Sequence, residues 1–328
     1  MRTLTYPFPQ TIQTGMRLLA MAMSASLLTA CASLPSPQNE EARRQAELAE
    51  QARQAARPSS LCAADPGSPF ALRKKVLVLG LPVSRPLQAA DLPGLSSTWS
   101  RELQRRLRTS DRFLLRDGSS LALNPAEDTH QQIRTLARQF DVQFIVAGEI
   151  NDLSVQRGRI DLGPFKPIPQ PFADRRTLSA VLDIYDGFSG TLIRQLTHHD
   201  AIKGRVDGNA LASSTESPLG AGIDTLISRQ FDDVVDELAC LPMQARLLPA
   251  APGKLQINAG SSSNVEPGQR LRVFLHEPTP VVTGSPPTWQ ERPLGEFVVS
   301  HVYPEHAIGQ IDFPIQPELR ASAYVRAW

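Results

Sequence analysis

The 328-residue sequence has few cysteines, almost no net charge and none of the common catalytic motifs. Its 34 Lys and Arg residues balance 33 Asp and Glu residues to a net charge of +1, so no overall field attracts nucleic acid or an anionic surface. The GxSxG, HExxH, P-loop and GxGxxG signatures do not occur. We therefore predict a protein that is not an enzyme, does not bind nucleic acid and needs neither a cofactor nor a metal.

The histidines and clustered acidic residues do not form a convincing site in the sequence. His198 and His199 are adjacent, so a strand would point them to opposite faces, and we expect them at a strand end on the surface. His301 and His306 flank a turn and have no cysteine or carboxylate partner at the spacing of a metal site. A solvated helix face is expected to carry the acidic residues Asp232, Asp233, Asp236 and Glu237.

The first apolar stretch of the chain is short and ends at a cysteine. It opens with Met16-Arg17 and closes with Leu28-Thr29-Ala30-Cys31. Its roughly 12 apolar residues are too few to span a membrane as a helix, whereas the charged start and small final residues are typical of a secretory signal peptide. The pattern resembles the lipobox of bacterial lipoproteins, which implies lipidation of Cys31 and, because Ala32 follows, sorting to the outer membrane. An ordinary signal peptide is the alternative, and translation starts at either Met1 or Met16.

Two cysteines remain once this leader is removed. Cys62 precedes the first expected strand of a domain, and Cys240 follows its last expected helix. In an oxidising compartment the even count favours a disulfide. Such a bond would close a loop of about 180 residues, for which chain entropy gives at most about 5 kcal/mol of stabilisation. Two separate buried thiols are the alternative.

The composition divides the chain into four parts. Residues 1–31 are the signal peptide with its lipobox, and residues 32–61, rich in Pro, Ala, Glu and Arg, are expected to form a helical tether with no apolar face. Residues 62–245 alternate strands and helices before a hairpin, which predicts an α/β domain with a mixed sheet and covering helices. Residues 246–328 have short strands separated by turns, which predicts a small all-β barrel.

Local signals place several elements within these two domains. Thr129 and Gln132 have the spacing of a capping box at the start of a helix, and residues 186–190 join two alternating segments into a hairpin. The loop 163–174 contains four prolines, which excludes it from a sheet interior, and it is either a plain surface loop or a binding loop. Barrel strands are expected at 254–258, 270–276, 295–302, 308–313 and 321–328.

Two resemblances to known proteins follow the same order along the chain. The strands 76–81 and 144–148, the helix around Trp99 and Leu103, and the turn Asp186-x-x-Ser189-Gly190 resemble the N-terminal domain of the translocation protein TolB and related lipoprotein domains. The C-terminal run resembles the last domain of flagellar assembly protein T, at Ile257-Asn258-Ala259-Gly260 and Val265-x-Pro267-Gly268-x-x-Leu271-x-Val273. The middle domain of that family is itself similar to the TolB domain.

The resemblance implies a component of the H-ring that surrounds the rod and bushing of some polar flagella. We therefore expect a non-enzymatic structural or assembly protein, lipid-anchored at the periplasmic face of the outer membrane, that contacts basal-body ring proteins and further copies of itself in a ring oligomer. Compared with that family, we expect this chain to lack the separate N-terminal domain and to add a lipid anchor and a helical tether. The alternative is an outer-membrane lipoprotein that activates a peptidoglycan synthase or another envelope assembly.

Overall fold

The computed structural model describes Cys62, Ser68 and residues 70–156, 159–160, 168–169, 175–203, 217–250, 254–278, 289–315 and 322–327. The expected signal peptide, Cys31, the tether and most of the proline-rich loop lie outside these residues. Within the described part of the chain, a mixed sheet with covering helices is followed by a closed barrel, which confirms the predicted fold class. No helix among the described residues is long and apolar enough to cross a membrane.

The α/β domain is built on one mixed sheet. Its strands are β1 (Lys74–Leu79), β2 (Phe113–Gly118), β3 (Phe144–Asp152), β4 (Val155–Gln156), β7 (Arg175–Asp186) and β8 (Leu192–Lys203). β1 pairs in parallel with β2 and β3, whereas β7 is antiparallel to β3, β4 and β8. The short strands β5 (Arg159–Ile160) and β6 (Ile168–Pro169) pair with each other outside this sheet. The parallel part comes from strand–helix–strand connections, and the antiparallel part from the hairpin.

Helices cover both faces of this sheet. They are α1 (Leu95–Thr109), α2 (Thr129–Gln139) and α3 (Pro218–Ala239). Val76 and Val78 of β1 share one hydrophobic cluster with residues of α1 and α3, while Leu77 and Leu79 share another with residues of α2. Alternate residues of a strand point to opposite faces, so β1 is buried on both sides and its sequence is apolar throughout its second half.

The start of α2 differs from the predicted capping box. Asp128 is the N-cap residue, and its carboxylate accepts a hydrogen bond from the backbone N–H of Gln131 at 3.1 Å. The Gln132 side chain instead makes two hydrogen bonds with the backbone of Asn124, each 2.8 Å long. The capping-box prediction was wrong because an aspartate one residue earlier is an equally good cap, and it leaves Gln132 free to fix the preceding loop.

The barrel closes in the order β10-β13-β12-β11-β14-β9. Its strands are β9 (Gln244–Pro249), β10 (Leu255–Ile257), β11 (Arg270–Pro278), β12 (Trp289–Val302), β13 (Ala307–Ile311) and β14 (Ala323–Arg326). Five of the six correspond to predicted strands, and β9 was not predicted. The interior is apolar and includes Ile257, Val273, Phe297 and Val325, each fully buried. Because β9 pairs with both β10 and β14, it is the strand that closes the barrel.

The structure contains the disulfide between Cys62 and Cys240, whose Cα atoms lie 4.9 Å apart. It joins the segment before β1 to the residue that ends α3. Next to it, the ammonium of the fully buried Lys74 donates hydrogen bonds to the carbonyl oxygens of Ala239 at 3.2 Å and Phe70 at 3.4 Å. Burial, and secondly the positive charge of Arg112, lower the pKa of Lys74 to about 8.

The lowered pKa of Lys74 predicts that stability rises with pH above about 8. In this range the folded protein loses the Lys74 proton, whereas the unfolded chain keeps it up to its ordinary pKa of about 10.4. Because the unfolded state then binds more protons, the free energy of unfolding increases, by about 2 kcal/mol between pH 7.5 and 9.5 from this group alone. Urea denaturation at both values should show a larger increase for the wild-type protein than for Lys74→Met. Equal increases in the two proteins would contradict the prediction.

Candidate functional site

The histidines and acidic residues examined in the sequence do not assemble a metal site. Among the described residues, no group of three or more His, Cys, Asp and Glu side chains has the arrangement to hold a metal ion. His301 is exposed, and the ring of His306 stacks on Tyr303 with centroids 4.6 Å apart. These side chains therefore offer no chemistry beyond that of a surface turn.

The expectation of two surface histidines at a strand end was wrong for one of them. His198 and His199 do point to opposite faces, but they lie in the middle of β8 and only His199 is exposed. His198 is 5% exposed, and its Nε2 lies 2.8 Å from the Asp233 carboxylate on α3. The acidic face of α3 is thus in part a packing surface: Glu237 also lies 3.9 Å from Arg194 of β8.

The tip of the hairpin between β7 and β8 carries an aromatic side chain to the barrel. The Asp186 carboxylate accepts hydrogen bonds from the backbone N–H groups of Phe188 and Ser189, both at 2.8 Å. Gly190 has a φ of +78°, and a Cβ there would lie 2.4 Å from the carbonyl oxygen of His130. Only glycine fits this close approach. The turn is therefore fixed, and it places the Phe188 ring 5.1 Å from that of Tyr324 on β14.

A polar network joins the two domains beside this aromatic contact. The ammonium of Lys75, at the start of β1, lies 2.7 Å from the Asp141 carboxylate and 3.5 Å from that of Glu305 on the barrel. Asp141 also accepts a hydrogen bond from the side chain of Asn258, which in turn accepts one from the backbone N–H of Arg246. Charges from both domains are thus paired at the junction, which holds α2 and β9 in a defined arrangement.

Between α2 and the barrel lies a cavity of about 200 Å³, here called the arginine cavity. Arg134 and Arg138 line it from α2, and Arg246 lines it from β9. The remaining lining residues are Phe188, Leu247, Leu248, His276, Ser322 and Ala323. Three guanidinium groups therefore share a space whose other walls are mainly apolar.

Burial lowers the pKa values of two basic side chains that line the arginine cavity. Burial, and secondly the positive charge of Arg138, lower the pKa of Arg246, while Asp141 and Asp186 act in the opposite direction. The Arg246 guanidinium carbon lies 4.9 Å from the centroid of Phe188, a cation–π contact. Burial also lowers the pKa of His276 below its usual range. The cavity is thus a place where positive charge is concentrated and partly removed from water.

A second, larger concave region lies on the outer side of the α/β domain. This open groove of about 490 Å³ runs between α2 and the loop that precedes it, and its lining includes Leu121, Asp128 and Leu136. Its charged lining residues are the adjacent Glu127 and Asp128, and none of the described lining residues has a buried polar atom without a partner. The arginine cavity is therefore the stronger candidate for a functional site.

Sequence reasoning did not find the residues of this cavity. Arg134 and Arg138 were part of the polar face of a predicted helix, and Arg246 lies in the one barrel strand that was not predicted. One available signal was Phe188, a large aromatic residue at the tip of a hairpin turn. An apolar side chain in such a position indicates that another part of the protein packs against the turn. Of the residues proposed as sites, Cys62 and Cys240 meet in the structure, whereas Cys31 lies outside the described residues.

Residues 67–210 match the family described as flagellar assembly protein T, middle domain. This segment of the chain is therefore similar to the middle domain of that family. The match covers less than half of the 328 residues and includes β1 to β8, α1 and α2, but it ends before α3 and the barrel. No curated protein matches the sequence.

Several solved structures are similar to about half of this chain. They include the hypothetical protein CT253 from Chlamydia trachomatis (19% identity, TM-score 0.35, covering 51% of this chain and 98% of that chain). The PelC dodecamer from Paraburkholderia phytofirmans (12%, 0.32, 53% and 91%) and the lipoprotein GNA1162 from Neisseria meningitidis (13%, 0.30, 50% and 99%) are also similar.

Proposed function

We propose that this protein is a non-enzymatic structural or assembly component of the flagellar basal body, of the H-ring type, anchored at the periplasmic face of the outer membrane by lipidation of Cys31. The observation that carries the proposal is the match of residues 67–210 to the middle domain of flagellar assembly protein T. It is supported by the closed barrel that follows, since the sequence of this barrel resembles the last domain of the same family. The two domains occur in the order that the family has.

The disulfide supports the proposed location. Disulfides persist in oxidising compartments such as the bacterial periplasm and are rare in the cytosol. In this structure Cys62 and Cys240 are bonded, and they are the only cysteines outside the expected leader. A protein exported behind a lipobox would form this bond after crossing the inner membrane.

A ring of identical subunits needs two different contact surfaces on each subunit, because its contacts are heterologous. The barrel packs at the amino end of β1, where the backbone N–H of Arg73 donates to the carbonyl oxygen of Ser263. Leu87 and Val155 lie at the other end of the sheet, after the carboxyl ends of β1 and β3, and are 92% and 43% exposed. Exposed apolar residues on the barrel include Tyr303. We propose these two regions, which both carry exposed apolar side chains, as the two contact surfaces of the ring.

Swimming in soft agar tests this proposal directly. A chromosomal deletion should abolish or strongly reduce swimming, because a basal body without its ring component cannot hold the motor in place, and the intact gene should restore it. Electron microscopy of isolated basal bodies should then show the ring missing in the deletion strain. Normal swimming of the deletion strain would refute the flagellar role.

The anchor is tested in the same strain with a matched pair of variants. Cys31→Ala removes the proposed lipidation site, whereas Ser33→Ala changes a neighbouring residue and leaves that site intact. We expect the intact protein and Ser33→Ala in the outer-membrane fraction and no membrane-bound Cys31→Ala. Membrane association of Cys31→Ala equal to that of Ser33→Ala would contradict the lipid anchor and leave the ring role standing.

A further inference from the structure

The arginine cavity brings together Arg138 and Arg246, whose charges are not paired at contact distance with any carboxylate of the described residues. No carboxylate in the described part of the chain lies within 4 Å of the guanidinium of Arg138 or Arg246. The Nε atom of Arg246 is buried and has no hydrogen-bond partner there. A buried donor without a partner destabilises a fold, and more so when it is charged. A bound anion would supply the missing hydrogen-bond acceptor and would therefore offset this destabilisation.

The acidic residues nearest to Arg246 are already engaged. Asp186 accepts hydrogen bonds from the turn residues Phe188 and Ser189, and Asp141 is paired with Lys75 and bonded to Asn258. Their negative charges act to raise the pKa of Arg246, but their carboxylates are bonded to other donors. Glu291, on the barrel side, is bonded to Tyr324 and Arg326.

The chemistry and size of the cavity indicate the kind of ligand. Arginine presents a planar set of donors that matches a carboxylate or a phosphate group, and such charge-assisted bonds strengthen where apolar walls exclude water. Phe188 and Leu247 supply such walls, and the contact of Arg246 with Phe188 orients its guanidinium. A volume of about 200 Å³ is below that of sites for drug-sized ligands, about 300–1,000 Å³. We propose that the arginine cavity binds a single oxyanionic group, a phosphate or a carboxylate, through Arg138 and Arg246.

Calorimetric titration of the full exported chain at low ionic strength tests the proposal. The probes are inorganic phosphate, acetyl-dialanine with its free carboxylate, and the same dipeptide as its amide. We expect phosphate or the free carboxylate to bind and the amide not to bind. Preference for phosphate would indicate a phosphorylated source such as a lipid headgroup, and preference for acetyl-dialanine would indicate the carboxylate of a peptide. Failure of both anions to bind would overturn the proposal.

Arginine variants assign the binding to this cavity. Arg138→Gln and Arg246→Gln should each raise the dissociation constant of the anion at least tenfold. Arg101→Gln, on the exposed surface of α1, should leave it unchanged. Arg138 is exposed, so its variant should fold even if Arg246→Gln does not. The anion that binds should also raise the melting temperature of the wild-type protein and not that of Arg138→Gln. Equal binding by Arg138→Gln and Arg101→Gln would overturn the assignment. These outcomes do not depend on the flagellar role.

Discussion

Reduction of the disulfide between Cys62 and Cys240 is expected to lower the free energy of unfolding by up to about 5 kcal/mol. The two cysteines are separated by 178 residues, so the bond restricts the unfolded chain over nearly the whole α/β domain. It also holds the segment before β1 against the end of α3, where the ammonium of the buried Lys74 donates a hydrogen bond to the carbonyl oxygen of Ala239. Urea denaturation with and without a reductant should show the loss as a lower midpoint.

The matched control for this experiment is the double variant Cys62→Ala with Cys240→Ala. Its midpoint should equal that of the reduced wild-type protein and should not respond to the reductant. Alkylation of the exported protein under non-reducing conditions provides a second readout, because a formed disulfide leaves neither thiol reactive. The prediction would be contradicted by two alkylated thiols, or by a urea midpoint of the wild-type protein that is the same with and without the reductant.

Hydrophobic periodicity was sufficient to predict most of the fold. A strand was predicted at residues 76–81, and the structure buries β1 between α1 and α3 on one side and α2 on the other. These signals are strong because each lies within one continuous segment and repeats with the period of its element. The same reasoning missed β9, in which only Ala245 and Leu247 are almost completely buried. This strand begins two residues after Pro242 and ends at Pro249.

The candidate site could not be predicted in this way. The arginine cavity is formed by α2, the tip of the β7–β8 hairpin and strands of the barrel, and Arg138, Phe188 and Arg246 are each at least 50 residues from the next in the sequence. Each arginine taken alone has the pattern of a solvated surface residue. Likewise, the sequence could not show that His198 is buried, because its hydrogen-bond partner Asp233 belongs to α3, a helix that follows the hairpin in the sequence. Local pattern predicts elements, whereas a site depends on how distant elements pack.

Replacement of Trp99 by alanine is expected to destabilise the protein by about 3–5 kcal/mol. Trp99 is fully buried on α1, in the cluster that joins this helix to α3 and the sheet. Its indole N–H donates a hydrogen bond of 2.7 Å to the side-chain oxygen of Gln230, which is also fully buried. The alanine variant therefore loses apolar contacts, leaves a cavity and leaves the Gln230 oxygen without its donor. Urea denaturation measures the total effect.

A double-mutant cycle separates the hydrogen bond from the packing. Trp99→Phe keeps an aromatic ring but leaves the Gln230 oxygen without its donor, and Gln230→Leu leaves the Trp99 indole N–H without its acceptor. Each single variant should lose about 1–3 kcal/mol because a buried polar group is left unpaired. The double variant removes both polar groups, so its loss should be smaller than the sum of the two single losses by about 1 kcal/mol or more. Strict additivity would contradict the prediction, because it would mean that the hydrogen bond between Trp99 and Gln230 adds nothing to the stability given by the apolar packing of α1 against α3.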